Sequence, residues 1–282
     1  PSNELSASWK RAWSTLFFSA TLSPSSFYKQ LIGLDDSSST LNLASPFAPS
    51  QWKVILHKGI ATTFHQRSFT YADVAQVIHS TSMSKSGNYL AFFPSYEYLR
   101  QVKKILMSES NSAMTDVVFL EQTSDMDESA RTEFLNAFKQ QDEKTRIGFA
   151  VMGGIFGEGI DLLGDALIGV VVVGVGLPQV CLERDLIRQH FEEQGTVGFD
   201  YAYRFPGINR VMQAAGRLIR SEHDRGVAVL IDQRFNQESY ETLLPNDWPV
   251  ESIHKTTELE PIIKRYWDSM NIKENESFKC KN

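Results

Sequence analysis

The stretch Ile168–Val175 reads I-G-V-V-V-V-G-V and decides the fold class. A continuous β-branched run of this kind is typical of a central strand that is buried on both faces of a parallel sheet. Other short apolar runs, predicted as strands, lie at residues 54–56, 89–93, 117–120, 147–151 and 227–231. Helical patterns alternate with them at residues 71–82, 95–106, 128–139 and 181–193. This alternation predicts an α/β domain whose mostly parallel sheet is covered by helices on both sides.

A second stretch, Ile208–Gly226, has helical periodicity with one basic and one apolar face. The polar side chains at this spacing are Arg210, Gln213, Arg217 and Arg220. The pattern predicts one helix with Gly216 in its middle, where glycine is disfavoured unless something approaches the backbone closely. Guanidinium groups suit phosphate oxygens. The alternative is a solvated basic face paired with acids such as Glu222 or Asp224, and the residues alone leave both open.

Parallel sheets form their sites at the carboxyl ends of strands, which directs attention to the loops after Phe18, Phe93, Val151 and Val175. Residues 16–18, Leu-Phe-Phe, form a predicted buried strand. The loop at residues 153–161 has four glycines and two carboxylates, which suits a phosphate or sugar contact, or else a tight turn with a capping acid. It lacks the lysine of a Walker A loop, and Pro178 and Gln179 interrupt any dinucleotide fingerprint after Val175.

Composition limits the function classes. The chain has 282 residues and a net charge of −6, so any nucleic-acid binding must use a local basic patch. Its two cysteines have no metal-ligand spacing, which favours a reducing, intracellular setting. No apolar run is long enough to cross a bilayer. The chain begins at Pro1 without a methionine, and we expect it to be a piece of a longer protein.

Four motifs in order resemble the second half of superfamily 2 helicases of the DinG and xeroderma pigmentosum group D type, with bacterial DinG-like members the best fit. S-A-T-L at residues 19–22 resembles motif III, F-F-P-S-Y at 92–96 motif IV, G-E-G-I-D at 157–161 motif V, and Q-A-A-G-R-L-I-R at 213–220, closed by D-R-G at 224–226, motif VI. The likeness covers roughly residues 16–235. Motif VI with its trailing D-R-G is specific, whereas S-A-T-L alone is weak.

The resemblance implies a three-layer α/β/α RecA-like domain with a mostly parallel central sheet, similar to P-loop NTPases but without the P-loop itself. It also implies boundaries. Residues 1–24 would be the motif III segment from the end of the first helicase domain, 25–240 the second RecA-like domain, and 241–282 a C-terminal extension. Because motif III belongs to the first domain's sheet, we expect the strand at residues 15–19 to join an edge of this sheet or to be poorly ordered.

Site residues follow from the same resemblance. Arg217 and Arg220 would reach toward the γ-phosphate of ATP as arginine fingers, and Gln213 would orient the phosphate or an arginine. The residues implied in nucleotide binding are Gly157, Glu158, Gly159 and Asp161. Those implied in nucleic-acid contact or coupling are Ser19, Thr21, Ser95, Tyr96, Gly153 and Gly154. No metal ligand is predicted in this chain.

The implied cofactors are ATP and Mg²⁺, held mainly by an N-terminal helicase domain that would be the chain's partner along with single-stranded DNA. An iron–sulfur cluster could lie in that missing part, and none is expected here. The implied function is a 5′ to 3′ DNA helicase of repair or replication, cytoplasmic and nucleoid-associated in a bacterium, with the fragment alone inactive. A non-catalytic RecA-like binding module and an RNA helicase are the alternatives.

Overall fold

A computed structural model of the protein describes residues 2–35, 37–109, 116–140, 142–154 and 167–279. Within this part, seven strands form one parallel sheet in the order β3-β4-β2-β5-β6-β1-β7. The strands are β1 (Trp52–His57), β2 (Asn88–Phe93), β3 (Val117–Glu121), β4 (Thr145–Val151), β5 (Gly169–Val173), β6 (Gly226–Ile231) and β7 (Val250–Ile253). The predicted parallel α/β class is confirmed.

Helices cover both faces of this sheet. The described α-helices are α1 (Ser2–Trp9), α2 (Ser25–Ile32), α3 (Tyr71–Ser82), α4 (Tyr96–Glu109), α5 (Glu128–Phe138), α6 (Leu182–Glu193), α7 (Phe205–Ala215), α8 (Glu238–Glu241) and α9 (Leu259–Lys279). Helices α3, α4 and α9 share one apolar core with the sheet, and α5 and α7 share the other. The three-layer arrangement therefore places two cores on either side of the strands.

Strand β5 lies in the middle of the sheet, as its β-branched run predicts. Val171 and Val173 face the core that contains α3 and α4, whereas Val170 and Val172 face the core that contains α5 and α7. Each of the four is at most 1% exposed. Burying a valine side chain stabilises a fold by roughly 1.5–3 kcal/mol, so this run contributes to both cores at once.

Residues 16–18 do not form the buried strand that their apolar run predicts. The segment forms no strand, and Leu16 and Phe18 are 82% and 85% exposed. Nor does it join an edge of the sheet, where β3 and β7 are the described outer strands. An apolar run specifies burial but not the partner that supplies it, and the described residues offer no neighbouring strand for this one.

The chain after residue 241 contributes to the same sheet and core. β7 pairs in parallel with β1, and Ile263 of α9 is fully buried beside the sheet. Trp267 lies in the same core. The described part of the expected extension at 241–282 is thus packed on the rest of the domain. None of the described helices combines the length and the apolar character needed to cross a membrane.

Candidate functional site

Helix α7 is shorter than the sequence predicts. The prediction of one helix through Ile208–Gly226 is wrong, because α7 ends at Ala215 and Gly216 is its C-cap. The amide of Gly216 donates to the carbonyl of Met212 at 2.8 Å, and the next amide, of Arg217, donates to Ala214 at 3.4 Å. The hydrogen-bond spacing thus changes from four residues to three, which tightens the last turn of α7 and ends the helix. Arg217 and Arg220 therefore lie on a loop and not on the face that carries Arg210.

We call residues 216–225 the arginine loop, and the buried side chain of Asp224 orders it. Its Oδ2 accepts from the backbone amides of Arg220 and Ser221, both at 2.7 Å, and its Oδ1 accepts from Ser221 Oγ at 2.9 Å. Asp224 is only 3% exposed. The carboxylate thus satisfies loop amides that no longer have helical partners, which fixes the backbone that carries Arg220. Arg217 and Arg220 are partly buried.

Hydrogen bonds hold the arginine loop at the amino ends of the strands. Gln51, just before β1, donates from Nε2 to the carbonyls of Ser221 at 2.9 Å and Asp224 at 3.2 Å. The hydroxyl of Tyr266 on α9 accepts from the amide of Gly226 at 3.1 Å and donates to the carbonyl of Gln51. Burial raises the pKa of Tyr266 to about 12, further above neutral pH than that of an exposed tyrosine. The loop lies at the opposite edge from the strand ends where parallel sheets usually form sites.

Replacing Tyr266 with phenylalanine is expected to lower the free energy of unfolding by about 1–3 kcal/mol. The ring would still fill its place, but the amide of Gly226 and the carbonyl of Gln51 would lose their buried partner. Urea denaturation of both proteins measures the difference. Ser269→Ala on the same helix is the matched control, since Ser269 Oγ donates only to the nearby carbonyl of Tyr266 among its described contacts. Equal midpoints for Tyr266→Phe and wild type would contradict the assigned role.

Four of the predicted nucleic-acid residues meet at the carboxyl ends of β2 and β4. Ser95 Oγ accepts from the amide of Tyr98 at 3.3 Å and so caps the start of α4. Gln122, directly after β3, connects the two loops. Its Oε1 accepts from the amide of Val151 at 2.8 Å, and its Nε2 donates to the hydroxyl of Tyr96 at 3.1 Å. A side chain added at Gly154 would lie 3.0 Å from Gln122 Nε2.

Gly153 also needs to be glycine. Its φ of +71° is disfavoured for residues with a side chain, and a Cβ there would lie 3.1 Å from Nε of Arg210 on α7. Arg210, in the middle of α7, thus lies beside a loop of the carboxyl edge, whereas the arginine loop that follows the end of α7 lies at the amino edge. The structure separates the residues of the predicted basic face into two places that one helix connects.

The remaining predicted site residues are less informative. Ser19 and Thr21 are near the exposed segment described above, and their described hydrogen bonds are to each other, with the amide of Thr21 donating to Ser19 Oγ at 3.2 Å. Gln213 is exposed in the last turn of α7. The predicted nucleotide residues Gly157, Glu158, Gly159 and Asp161 lie outside the described residues. Among the described residues, no three His, Cys, Asp or Glu side chains come together as a metal site.

The sequence did not predict the roles of two residues that connect these elements, Gln122 and Tyr266. Gln122 follows a predicted strand, so the strand-end rule that selected Ser95 could have found it. Tyr266 could not have been found in this way, because its partners Gln51 and Gly226 are 215 and 40 residues away in the chain. Their contact depends on how α9 packs across the sheet.

Comparison with known proteins identifies a family. Residues 78–251 match the sequence profile described as Helicase C-terminal domain, which is more than half of the chain. The chain is 29% identical over 232 residues to the probable ATP-dependent helicase MJ0942 of Methanocaldococcus jannaschii, covering 77% of this chain and 34% of that protein. It is 27% identical over 195 residues to the general transcription and DNA repair factor IIH helicase subunit XPD of Dictyostelium discoideum, covering 66% and 25%.

Solved structures agree on the fold. A structure of XPD in its apo form superposes with a TM-score of 0.59 at 19% identity, covering 83% of this chain and 47% of that one. The structure of S. tokodaii Xpd4 superposes with a TM-score of 0.50 at 15% identity, covering 79% and 43%. The predicted RecA-like helicase fold is thereby confirmed. The chain spans about a quarter to a third of the length of the two curated relatives above.

Proposed function

The chain belongs to the family of helicase C-terminal domains of XPD-like helicases, and from this we propose that it is the second motor domain of an ATP-dependent DNA helicase. The observation that carries the proposal is the arginine loop. It carries Arg217 and Arg220, and the buried carboxylate of Asp224 holds the backbone at Arg220 in place. Cations on a fixed loop suit a phosphate whose charge changes during a reaction.

The groups present fit a nucleotide phosphate. Arg217 and Arg220 carry the forked donors that bind phosphate oxygens, and the exposed amide of Gln213 is close by in sequence at the end of α7. ATP with Mg²⁺ would supply the reactive phosphoryl group, held mainly by a first motor domain. Gly157, Glu158, Gly159 and Asp161 would complete the nucleotide contact from this side. An arginine finger of this kind accelerates phosphoryl transfer by about 10³–10⁵-fold.

Single-stranded DNA would pass over the carboxyl edge of the sheet. Ser95 and Tyr96 on one loop and Gly153 and Gly154 on the next are held together by Gln122, as the hydrogen bonds to Tyr96 and Val151 support. Hydroxyls, backbone amides and close-approaching glycines contact the sugar-phosphate backbone without reading sequence. Ser19 and Thr21 would couple this surface to the first motor domain.

Helix α7 offers a physical connection between the two surfaces. It has 11 residues and is therefore about 16 Å long, with Arg210 beside Gly153 at its middle and the arginine loop directly after its carboxyl end. A movement of the arginine loop when ATP is bound or hydrolysed would be transmitted along this helix to the DNA surface. We propose 5′ to 3′ movement, in DNA repair or replication, in the cytoplasm of a bacterium.

The test uses the full-length protein that contains both motor domains. We expect single-stranded DNA to stimulate ATP turnover more than an RNA of the same sequence does, and duplexes with a 5′ tail to be unwound in preference to those with a 3′ tail. The isolated chain should hydrolyse no ATP. DNA binding without any ATP turnover would favour a non-catalytic module instead, and stimulation by RNA alone would identify an RNA helicase.

A further inference from the structure

The segment between β1 and α3 exposes two aromatic side chains. We call residues 61–70, A-T-T-F-H-Q-R-S-F-T, the aromatic loop. Phe64 is 74% exposed and Phe69 is 85% exposed. The guanidinium carbon of Arg67 lies 4.5 Å from the centroid of the Phe64 ring, so a cation covers one side of that ring. Two exposed aromatic rings on one short loop are a candidate interaction surface.

The aromatic loop is anchored at several points along its length. Thr70 Oγ1 donates to the carbonyl of Ala61 at 2.7 Å, and Gln233 Nε2, after β6, donates to Gln66 Oε1 at 3.0 Å. Thr62 Oγ1 donates to the fully buried carboxylate of Asp232. The two phenylalanines are therefore presented on a backbone that is already in place, which lowers the entropy lost when a ligand binds.

The position of the aromatic loop continues the proposed DNA surface. The loop follows β1 and so lies at the carboxyl edge of the sheet. The guanidinium of Arg67 lies 5.5 Å from the ring of Tyr98, whose amide donates to Ser95 Oγ. Arg67 thus connects the exposed ring of Phe64 to the cap of α4, where one of the predicted nucleic-acid residues lies.

We propose that the aromatic loop is a further binding site for single-stranded nucleic acid, in which Phe64 and Phe69 stack on unpaired bases and Arg67 attracts the adjacent phosphate. The site extends the proposed helicase function and rests on it. The charge of the loop favours this ligand, because residues 61–70 contain an arginine and a histidine and no acid in a chain of net charge −6. Stacking on aromatic rings is the sequence-tolerant mode by which proteins bind single strands.

The first test measures the affinity of the full-length protein, without nucleotide, for a fluorescent oligodeoxythymidine. Phe64→Ala and Phe69→Ala should each raise Kd by about 5- to 100-fold, the range expected for one lost base stack. Phe64→Trp should keep wild-type affinity because it keeps an aromatic face. The matched control is Ile272→Ala on α9, which removes an exposed apolar side chain remote from the carboxyl edge. Its Kd should stay within twofold of wild type.

The second test replaces the oligonucleotide with an abasic chain of the same length. If the rings stack on bases, Phe64→Ala and wild type should bind this chain equally, since nothing is left to stack on. Equal loss of affinity on both chains would overturn the proposal, and so would wild-type affinity of both alanine variants for oligodeoxythymidine. Failure of the wild type to bind any single strand would instead contradict the proposed function itself.

Discussion

Replacing Arg217 or Arg220 with alanine in the full-length protein is expected to lower DNA-stimulated ATP turnover by about 10³-fold or more. The physical reason is that each guanidinium would stabilise charge that develops on the transferred phosphoryl group, in a site where the loop backbone is already fixed by Asp224. Steady-state ATP hydrolysis at saturating ATP and saturating single-stranded DNA measures kcat.

The controls separate catalysis from folding. Lysine at either position keeps the charge but not the planar fork, so Arg217→Lys and Arg220→Lys should recover only a small part of the turnover. Arg265→Ala removes an arginine whose side chain is 68% exposed and pairs with Glu251 at the surface, and its turnover should equal wild type. Turnover near the wild-type value in both alanine variants would refute the assignment of the arginine loop to the nucleotide.

Replacing Arg234 with methionine is expected to destabilise the fold by about 3–5 kcal/mol. Asp232 is 0% exposed, and Arg234 donates to its two oxygens from Nε at 2.9 Å and from Nη2 at 2.7 Å. The variant would leave a buried carboxylate without its cation. Urea denaturation at pH 7 measures the loss.

A double variant identifies the cause of that loss. Asp232→Ala combined with Arg234→Met removes the uncompensated charge as well, so it should be more stable than Arg234→Met alone. Arg265→Met breaks a surface ion pair and should lower stability by no more than about 1 kcal/mol. If Arg234→Met has no larger effect than this surface control, the pair is not the anchor that its burial indicates. Because Thr62 donates to Asp232, the double variant that lacks Asp232 also removes this anchor of the aromatic loop, which should become more mobile.

The parts of the fold that the sequence predicts well depend on local periodicity. The helix predicted at residues 71–82 agrees with α3, Tyr71–Ser82, and the strand predicted at 147–151 lies within β4. The end of α7 could not be predicted in this way. The arginines continue its helical spacing past Gly216, but the side chain of Asp224 offers the loop amides a better partner. The helical spacing of the arginines gives no sign that the side chain of Asp224, eight residues after Gly216, accepts hydrogen bonds from these amides.

The sequence likewise predicts only part of the candidate site. Strand-end reasoning placed Ser95 and Gly153 on loops at the carboxyl ends of strands, and the structure shows that Gln122 joins these two loops. The sequence did not predict that Arg210 and Arg217 lie at different edges of the sheet, because the prediction of one unbroken helix placed both on the same helical face. The catalytic and binding roles of these residues remain predictions until the variants above are measured.

The order of the strands has a practical consequence for anyone who trims this protein. The matched family region ends at residue 251 and begins at residue 78. A chain cut at those limits would lack β1, which lies between β6 and β7, and would leave β6 as an open edge with no neighbour on that side. It would also lose α9, and with it the hydrogen bonds of the Tyr266 hydroxyl to Gly226 and Gln51 that hold the end of the arginine loop. The region that the family profile matches is thus smaller than the packed sheet and its helices, and expression boundaries need to include residues 51–270 so that Gln51 and α9 are kept.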